Sequence, residues 1–407
     1  MQRNATGIQE NIEKCCGNAG KYRRKKQVGG KRLEKESELG LEKELGKKQE
    51  KIAIYGAGMV AVSVYYSVKM LDPDCGILCF IVSDQEGNPA QIDGVPVLSF
   101  DEFCSFQGKG DIRIVVAMPE NHHGAIMERL LERNMKGCVY IDSRKEAALM
   151  RRYYERIRRF LPLSSRPRNE RKEGDASLHV YMAESDRDVP LKRPWKLPEW
   201  IRPVQAGAAL TGISISDLKD NTGNHISEKN GNYSELTVLY WIWKNRENQG
   251  RAQDYIGLFH YRRILDLTEE DVRCAARNGI DAILPYPTVH FPSIDEHHKR
   301  YVKEDDWKAM VMALEELAPE YAKRMPQIFF EPYFYNYNML VARKQVFHEF
   351  CAWLFPILKR TEDLSIPRGW ERADRYIGYL GESLTTLYFM CHEQDLKIAH
   401  VGRILLT

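Results

Sequence analysis

Hydrophobic residues are spread unevenly along the chain. Residues 1–50 mix Gly, Glu and Lys with few apolar positions and carry "KYRRKK" at 21–26. A segment so poor in apolar surface cannot offset its own chain entropy, which predicts a disordered or helical basic arm. The pattern changes at "KIAIYGAGMVA". From 51 to 143, short apolar runs alternate with stretches of helical spacing. "KIAIYG", "GILCFIVSD", "DIRIVVAMP" and "GCVYID" predict strands, and Met59–Leu71 and His123–Asn134 predict helices. Such alternation predicts a parallel sheet covered on both faces.

Residues 144–176 break that rhythm. Between 144 and 172 there are eleven Lys/Arg against three Glu. Leu149, Tyr153, Ile157 and Phe160 fall on one helical face, so the segment predicts a basic amphipathic helix followed by a polar linker. Two readings stay open: a connector that packs its stripe on a neighbouring domain, or adhesion to an anionic membrane surface. A second domain is predicted over 177–407. "SLHVYMAE", "IRPVQAGAAL", "DYIGLFHYRR" and "DAILPYP" predict strands, and "SELTVLYWIWKN", 304–325, 343–362 and 372–391 predict helices.

Bulk properties narrow the class. A chain of 407 residues suits two domains plus tails. The net charge of +3 gives no global argument for nucleic acid. No apolar run is long enough to span a bilayer, and the N-terminal residues show no secretory signal. These features predict a cytoplasmic protein. Nine scattered cysteines without a CxxC pair predict reduced thiols and no zinc site.

Gly56, Gly58 and Ala61 form a GxGxxA loop between a predicted strand and a predicted helix. Glycines there permit a tight turn and let backbone N–H groups approach a diphosphate. Asp84, ending the second strand, sits where an acid would take a ribose hydroxyl. The same loop also occurs in Rossmann folds that bind nothing. Tyr65 and Lys69 mimic the YxxxK pair of short-chain dehydrogenases, but they lie too near the glycine loop to meet a substrate beside a nicotinamide. An NAD-dependent sugar-nucleotide oxidoreductase or epimerase is therefore kept as an alternative, as is a non-catalytic glycan-assembly scaffold. "GLFHYRR" ends a buried strand in His260, Tyr261, Arg262 and Arg263, a cargo that suggests an anion site. Asp186-Arg187-Asp188 reads as a solvated loop, and His297–His298 as surface or substrate-loop residues.

The first module, through "IVSDQEGNPAQIDGVPVLSFDEF", resembles small Rossmann modules fused to bacterial surface-polysaccharide enzymes. The second carries "VQAGAALTG", "DNTGNHISEKNGNYSELTVLYWIWKN", "DYIGLFHYRR", "YNYNMLVARKQVFHEFCAWLFPIL" and "RYIGYLGESL" in order. These resemble a GT-A-like glycosyltransferase family of capsule and exopolysaccharide clusters, long catalogued as a domain of unknown function. The resemblance implies α/β architecture, a Rossmann-like parallel sheet followed by a GT-A-like domain. It also implies sugar transfer from a nucleotide-sugar donor, UDP-hexose by analogy, onto a lipid-linked or growing glycan at the inner face of the plasma membrane.

Such an enzyme must stabilise a departing nucleoside diphosphate. GT-A enzymes commonly do so with Asp-x-Asp and a divalent metal. Here His260 to Arg263 stand at the comparable strand end. Arginine forks grip phosphate without a metal, so the need for metal is left open. Because alternate strand residues face opposite sides, at most one arginine points into the site while the strand stays extended. Asn224, Asn230 and Asn338 are candidate donor contacts. Glu382 is the candidate base, with Glu235 and Asp220 as rivals, and Arg375 is expected to pair with one of these acids. Of Trp241 and Trp243, one is expected in the core and the other is free to stack on a sugar or base.

Overall fold

The computed structural model describes residues 51–105, 112–165, 176–192, 195–246, 254–368 and 371–407. The expectations for the arm at 1–50 and for the linker beyond Ser165 lie outside them. Two α/β regions, each built on a largely parallel sheet, occupy the compact unit Lys47–Thr407.

The first sheet contains β1 (Lys51–Tyr55), β2 (Gly76–Val82), β3 (Gln91–Ile92), β4 (Val95–Ser99), β5 (Ile112–Val116) and β6 (Val139–Tyr140). Their order is β3-β4-β2-β1-β5-β6, parallel throughout except for the β3–β4 hairpin. Helices α1 (Met59–Leu71), α2 (Phe100–Ser105) and α3 (His123–Glu132) connect them. Phe100, Phe103, Ile126 and Leu130 cover one face over Ala53, Ile81 and Val116. On the other face α1 packs against α4 (Ser143–Ile157), whose first turn is capped by Asp142 Oδ1 accepting from Lys145 N at 2.8 Å. Strand and helix positions follow the sequence closely here. The β3–β4 hairpin and α2 are additions, the hairpin formed where "QIDGVPVL" turns at Asp93-Gly94, both with positive φ.

The second region holds β7 (Leu178–Glu184), β8 (Ile201–Gln205), β9 (Leu218–Lys219), β10 (Tyr255–His260), β11 (Arg263–Leu265) and β12 (Ala282–Pro285). A short ladder joins β13 (Thr288–Val289) to β14 (Tyr333–Phe334), and β15 (Leu340–Arg343), β16 (Ile398–Val401) and β17 (Arg403–Leu405) complete the set. The main order is β16-β12-β15-β10-β7-β8-β9, with β15 antiparallel to both neighbours. Its helices are α5 (Asn230–Tyr233), α6 (Leu236–Asn245), α7 (Glu269–Arg277), α8 (Ile294–His298), α9 (Glu304–Leu317), α10 (Pro319–Phe329), α11 (Lys344–Leu364) and α12 (Tyr376–Cys391). β10 is buried over Tyr255–Phe259, as a strand flanked on both sides must be. A Cβ at Gly257 would stand 2.6 Å from Leu340 O, so glycine is what lets β15 lie this close.

Two expectations are corrected. The single helix over 304–325 is two, because Ala318 leaves helical geometry and Pro319 starts the next one. The helix over 372–391 begins only at Tyr376, since Arg375 has φ +62°. Most of the apolar face of the basic helix α4 packs against the protein itself. Leu149, Met150, Tyr153 and Tyr154 are buried. Tyr154 donates to Pro287 O at 2.8 Å, and Tyr153 bonds Tyr333 across the two regions. Of the two readings of that helix, the packing of its stripe on the neighbouring domain is the one observed.

Candidate functional site

The carboxyl ends of parallel strands expose backbone and side-chain groups that helices cannot cover, and ligands collect there in open α/β sheets. β10 ends at His260. The chain then turns through Tyr261 and Arg262 and returns as β11, pairing His260 with Arg263. The turn separates the two arginines. Arg263 shares a face with His260 and lies 4.2 Å from the centre of the Tyr337 ring. Arg262 lies over the Tyr261 ring at 4.8 Å, and its buried Nε finds no hydrogen-bond partner.

Two carboxylates meet on the His260 face. Glu235, at the start of α6, is buried and accepts from Asn338 Nδ2 at 2.7 Å. His260 Nε2 stands 3.7 Å from it and Arg375 Nη2 4.0 Å. Glu382 comes from α12. Burial pushes its carboxyl up to about 8, and the charge of Glu235 adds to that, against the Tyr337 backbone amide, Arg263 and Arg375. Glu382 retains a partly exposed surface, so this is a carboxyl set deep in a cleft rather than sealed in a core. Burial also holds His260 below the ordinary histidine range, despite the opposing pull of Glu235. Its Nε2 meets the Tyr337 carbonyl at 2.5 Å, which fixes that nitrogen as the donor.

The local backbone is strained. Ser234, Tyr337, Asn338 and Arg375 all have positive φ without being glycine. Each such residue costs of order 1–3 kcal/mol and persists only where its surroundings hold it. Here they do. Arg375 Nε donates to Ser234 Oγ at 2.9 Å, and Asn338 Nδ2 also reaches Gly378 O at 3.2 Å. A Cβ on Gly381 would come within 2.5 Å of Leu236, so α12 approaches α6 only through that glycine.

The remaining sequence candidates are distributed as follows. Asp220 is fully buried. It accepts from Gly207 N, Ala208 N, Ser227 Oγ and Thr237 Oγ1 at 2.5–3.0 Å. Those four donors occupy it as a brace for the turn after β8. Asn230 bonds Ser234 O and Thr237 Oγ1. Asn224 holds its own loop to α6 through Asn245 and Tyr240. Trp241 is core, while the Trp243 ring is stacked on Phe355 with Lys244 Nζ 3.3 Å from its centre.

In the first region a Cβ at Gly56 would meet Ala117 O at 2.7 Å, so the tight turn needs glycine. Gly58 precedes α1 with no side-chain cap. Ala61 is buried, and Asp84 is exposed and accepts from Glu86 N at 3.0 Å. Tyr65 and Lys69 both bond Asp93, at 2.9 and 2.7 Å, which accounts for that pair structurally.

Asp188, read from the sequence as part of a solvated loop, lies near the arginines of the site. Asp188 is half-buried, raised by that burial, and faces the charges of Arg262 and Arg375. Tyr337 is central: its carbonyl accepts from His260, and its ring lies beside Arg263. His297 and His298 are buried rather than superficial, His298 lying flat on Trp307 at 3.7 Å. Among the described residues, no group of three or more His, Cys, Asp or Glu is arranged to hold a metal ion, and no helix is long and apolar enough to cross a membrane.

Residues 192–394 match a family described as a domain of unknown function, DUF4422. The chain is also similar to a solved structure titled as the apo form of WbbM, a bifunctional glycosyltransferase. The identity is 26% and the TM-score 0.48, covering 57% of this chain and 45% of that one. The chain thus spans less than half of that protein's length. No curated protein matches the chain.

Proposed function

We propose that the second region transfers a sugar from a nucleotide-sugar donor to a glycan acceptor. The observation that carries this is the pairing of two carboxylates with positive charge at one sheet end: Glu235 and Glu382 near Arg263 and Arg375, with His260 on the same face. The sheet order supports it, with an antiparallel β15 inside an otherwise parallel array, as GT-A-like architectures have in general.

In this reading Glu382 is the base. It must take the acceptor hydroxyl's proton as the oxygen attacks the anomeric carbon, while the bond to the diphosphate breaks. A carboxyl poised near the working pH suits that task. Glu235, fixed by Asn338, keeps Glu382 basic through like charge and orients sugar hydroxyls. Arg263 and Arg375 stabilise negative charge on the departing diphosphate. Arg262, on the far side of the turn with Asp188, contacts the donor from the opposite flank. UDP-hexose is the first donor to try, and a lipid-linked oligosaccharide the first acceptor. The Gly56–Ala61 loop is a candidate site for a second nucleotide.

The test is a panel of nucleotide sugars, incubated with and without EDTA and assayed for released nucleoside diphosphate. Release from at least one donor is expected, and it should vanish in Glu382→Gln. If no donor is turned over with any acceptor, the proposal fails. NAD retained by the purified protein, with redox turnover of a UDP-sugar, would favour the oxidoreductase reading instead.

A further inference from the structure

Tyr337 makes contacts in four directions. Its carbonyl accepts from His260 Nε2 at 2.5 Å. Its amide favours the charged form of Glu382. Its ring lies between Arg263, at 4.2 Å, and Arg403, at 5.2 Å. Its hydroxyl reaches Met59 Sδ at 3.4 Å, on the first turn of α1 and 278 positions away in sequence.

The last contact crosses from one sheet system to the other at the glycine loop. It does not stand alone. Arg403, hydrogen-bonded to Tyr337, also pairs with Glu146 of α4 at 3.1 Å. Val289 N donates to Ser63 Oγ on α1 at 3.3 Å. A Cβ at Gly402 would stand 2.5 Å from Ala147, so the two regions are closely fitted there. Meanwhile Tyr337 has φ +73°, a conformation a tyrosine keeps only under external constraint.

From this arrangement we infer that Tyr337 is a positioning residue through which the first region, by way of Met59 and Arg403, sets the geometry of the Glu382–His260 pair. The backbone of Tyr337 faces both members of that pair, and its side chain is held by the other region. Moving α1 moves the ring, and the ring carries the amide and the carbonyl. Other charged or titratable groups acting on Glu382 are Glu235, Arg263, Arg375 and Tyr301. The inference rests on the transferase reading only for its kinetic arm.

The experiment uses the full chain with ¹³C-labelled glutamate carboxyls, the Glu382 signal being assigned by Glu382→Gln. Its titration is followed in wild type, Tyr337→Phe, Met59→Leu and the double variant. Met59→Leu keeps the volume and removes the sulfur, so it remains informative if Tyr337→Phe folds poorly. In each single variant the midpoint should rise by roughly half a unit, as the amide loses its hold on the carboxylate. The double variant should shift no further than the larger single one, because both cut the same link. Unmoved midpoints in folded variants, or additive shifts, would overturn the inference. In the kinetic arm, kcat should fall about tenfold with donor KM nearly unchanged, the pattern of lost transition-state alignment. A wild-type protein without turnover would defeat the transferase reading and leave the titration to decide this one.

Discussion

At the scale of single residues, Glu382 and Asp220 show how alike two carboxylates can read in sequence and how differently they are used. Asp220 has four donors and nothing left to offer a substrate. Asp220→Ala should leave activity per folded molecule unchanged and cost about 2–4 kcal/mol in urea denaturation, since two buried N–H groups lose their acceptor. Glu382 lies on the opposite side of that comparison. Its carboxyl sits near 8 when folded, against an ordinary value of 4.5. The folded state therefore binds the extra proton between those limits, and its stability falls as pH rises through that window. Glu382→Gln removes the ionisation, so its Tm should exceed that of wild type by a few degrees at pH 8.5 and match it near pH 4.5. Turnover by the wild type should rise with pH through about 8.

At the scale of elements, the joints matter more than the helices and strands. Asp306 in the first turn of α9 holds Arg372 in a bidentate pair at 2.9 and 2.5 Å, both side chains being almost fully buried. Arg372 lies just before Arg375 and α12, so the pair fixes where the helix bearing Glu382 begins. Arg372→Ala strands a buried carboxylate and should cost about 3–5 kcal/mol by chemical denaturation. Much of this level was legible in the sequence. Met59–Leu71 was bounded to the residue by its glycine loop and its apolar spacing, and β10 by its unbroken apolar run. The site was less legible, for a physical reason. Periodicity reports which face is buried, but the acid pair forms where periodicity stops, at successive left-handed residues Tyr337 and Asn338 and at Arg375. Asp188 was misjudged for the same reason: a loop position has no period, so only tertiary contact reveals that Arg262 and Arg375 face it.

At the scale of the whole molecule, the amphipathic stripe of α4 is interior to the fold. Tyr154 packs against Phe160, Tyr286 and Tyr333, with ring centres 5.0–5.9 Å apart. Tyr154→Ala should cost about 3–5 kcal/mol, and the two sheets should melt in a single calorimetric transition, because this aromatic cluster belongs to both. Two separated transitions in the wild type would contradict that.

The hairpin after β10 sets a ruler as well as a turn. His260 and Arg263 lie opposite each other because two residues separate them. One residue more or fewer would carry Arg263 to the other side of the sheet and present a different side chain to the acids. Single-residue insertions and deletions between 260 and 263 should therefore be far more damaging to ligand binding than substitutions of Tyr261, so that the length of this stretch is itself a constraint on how the chain can vary.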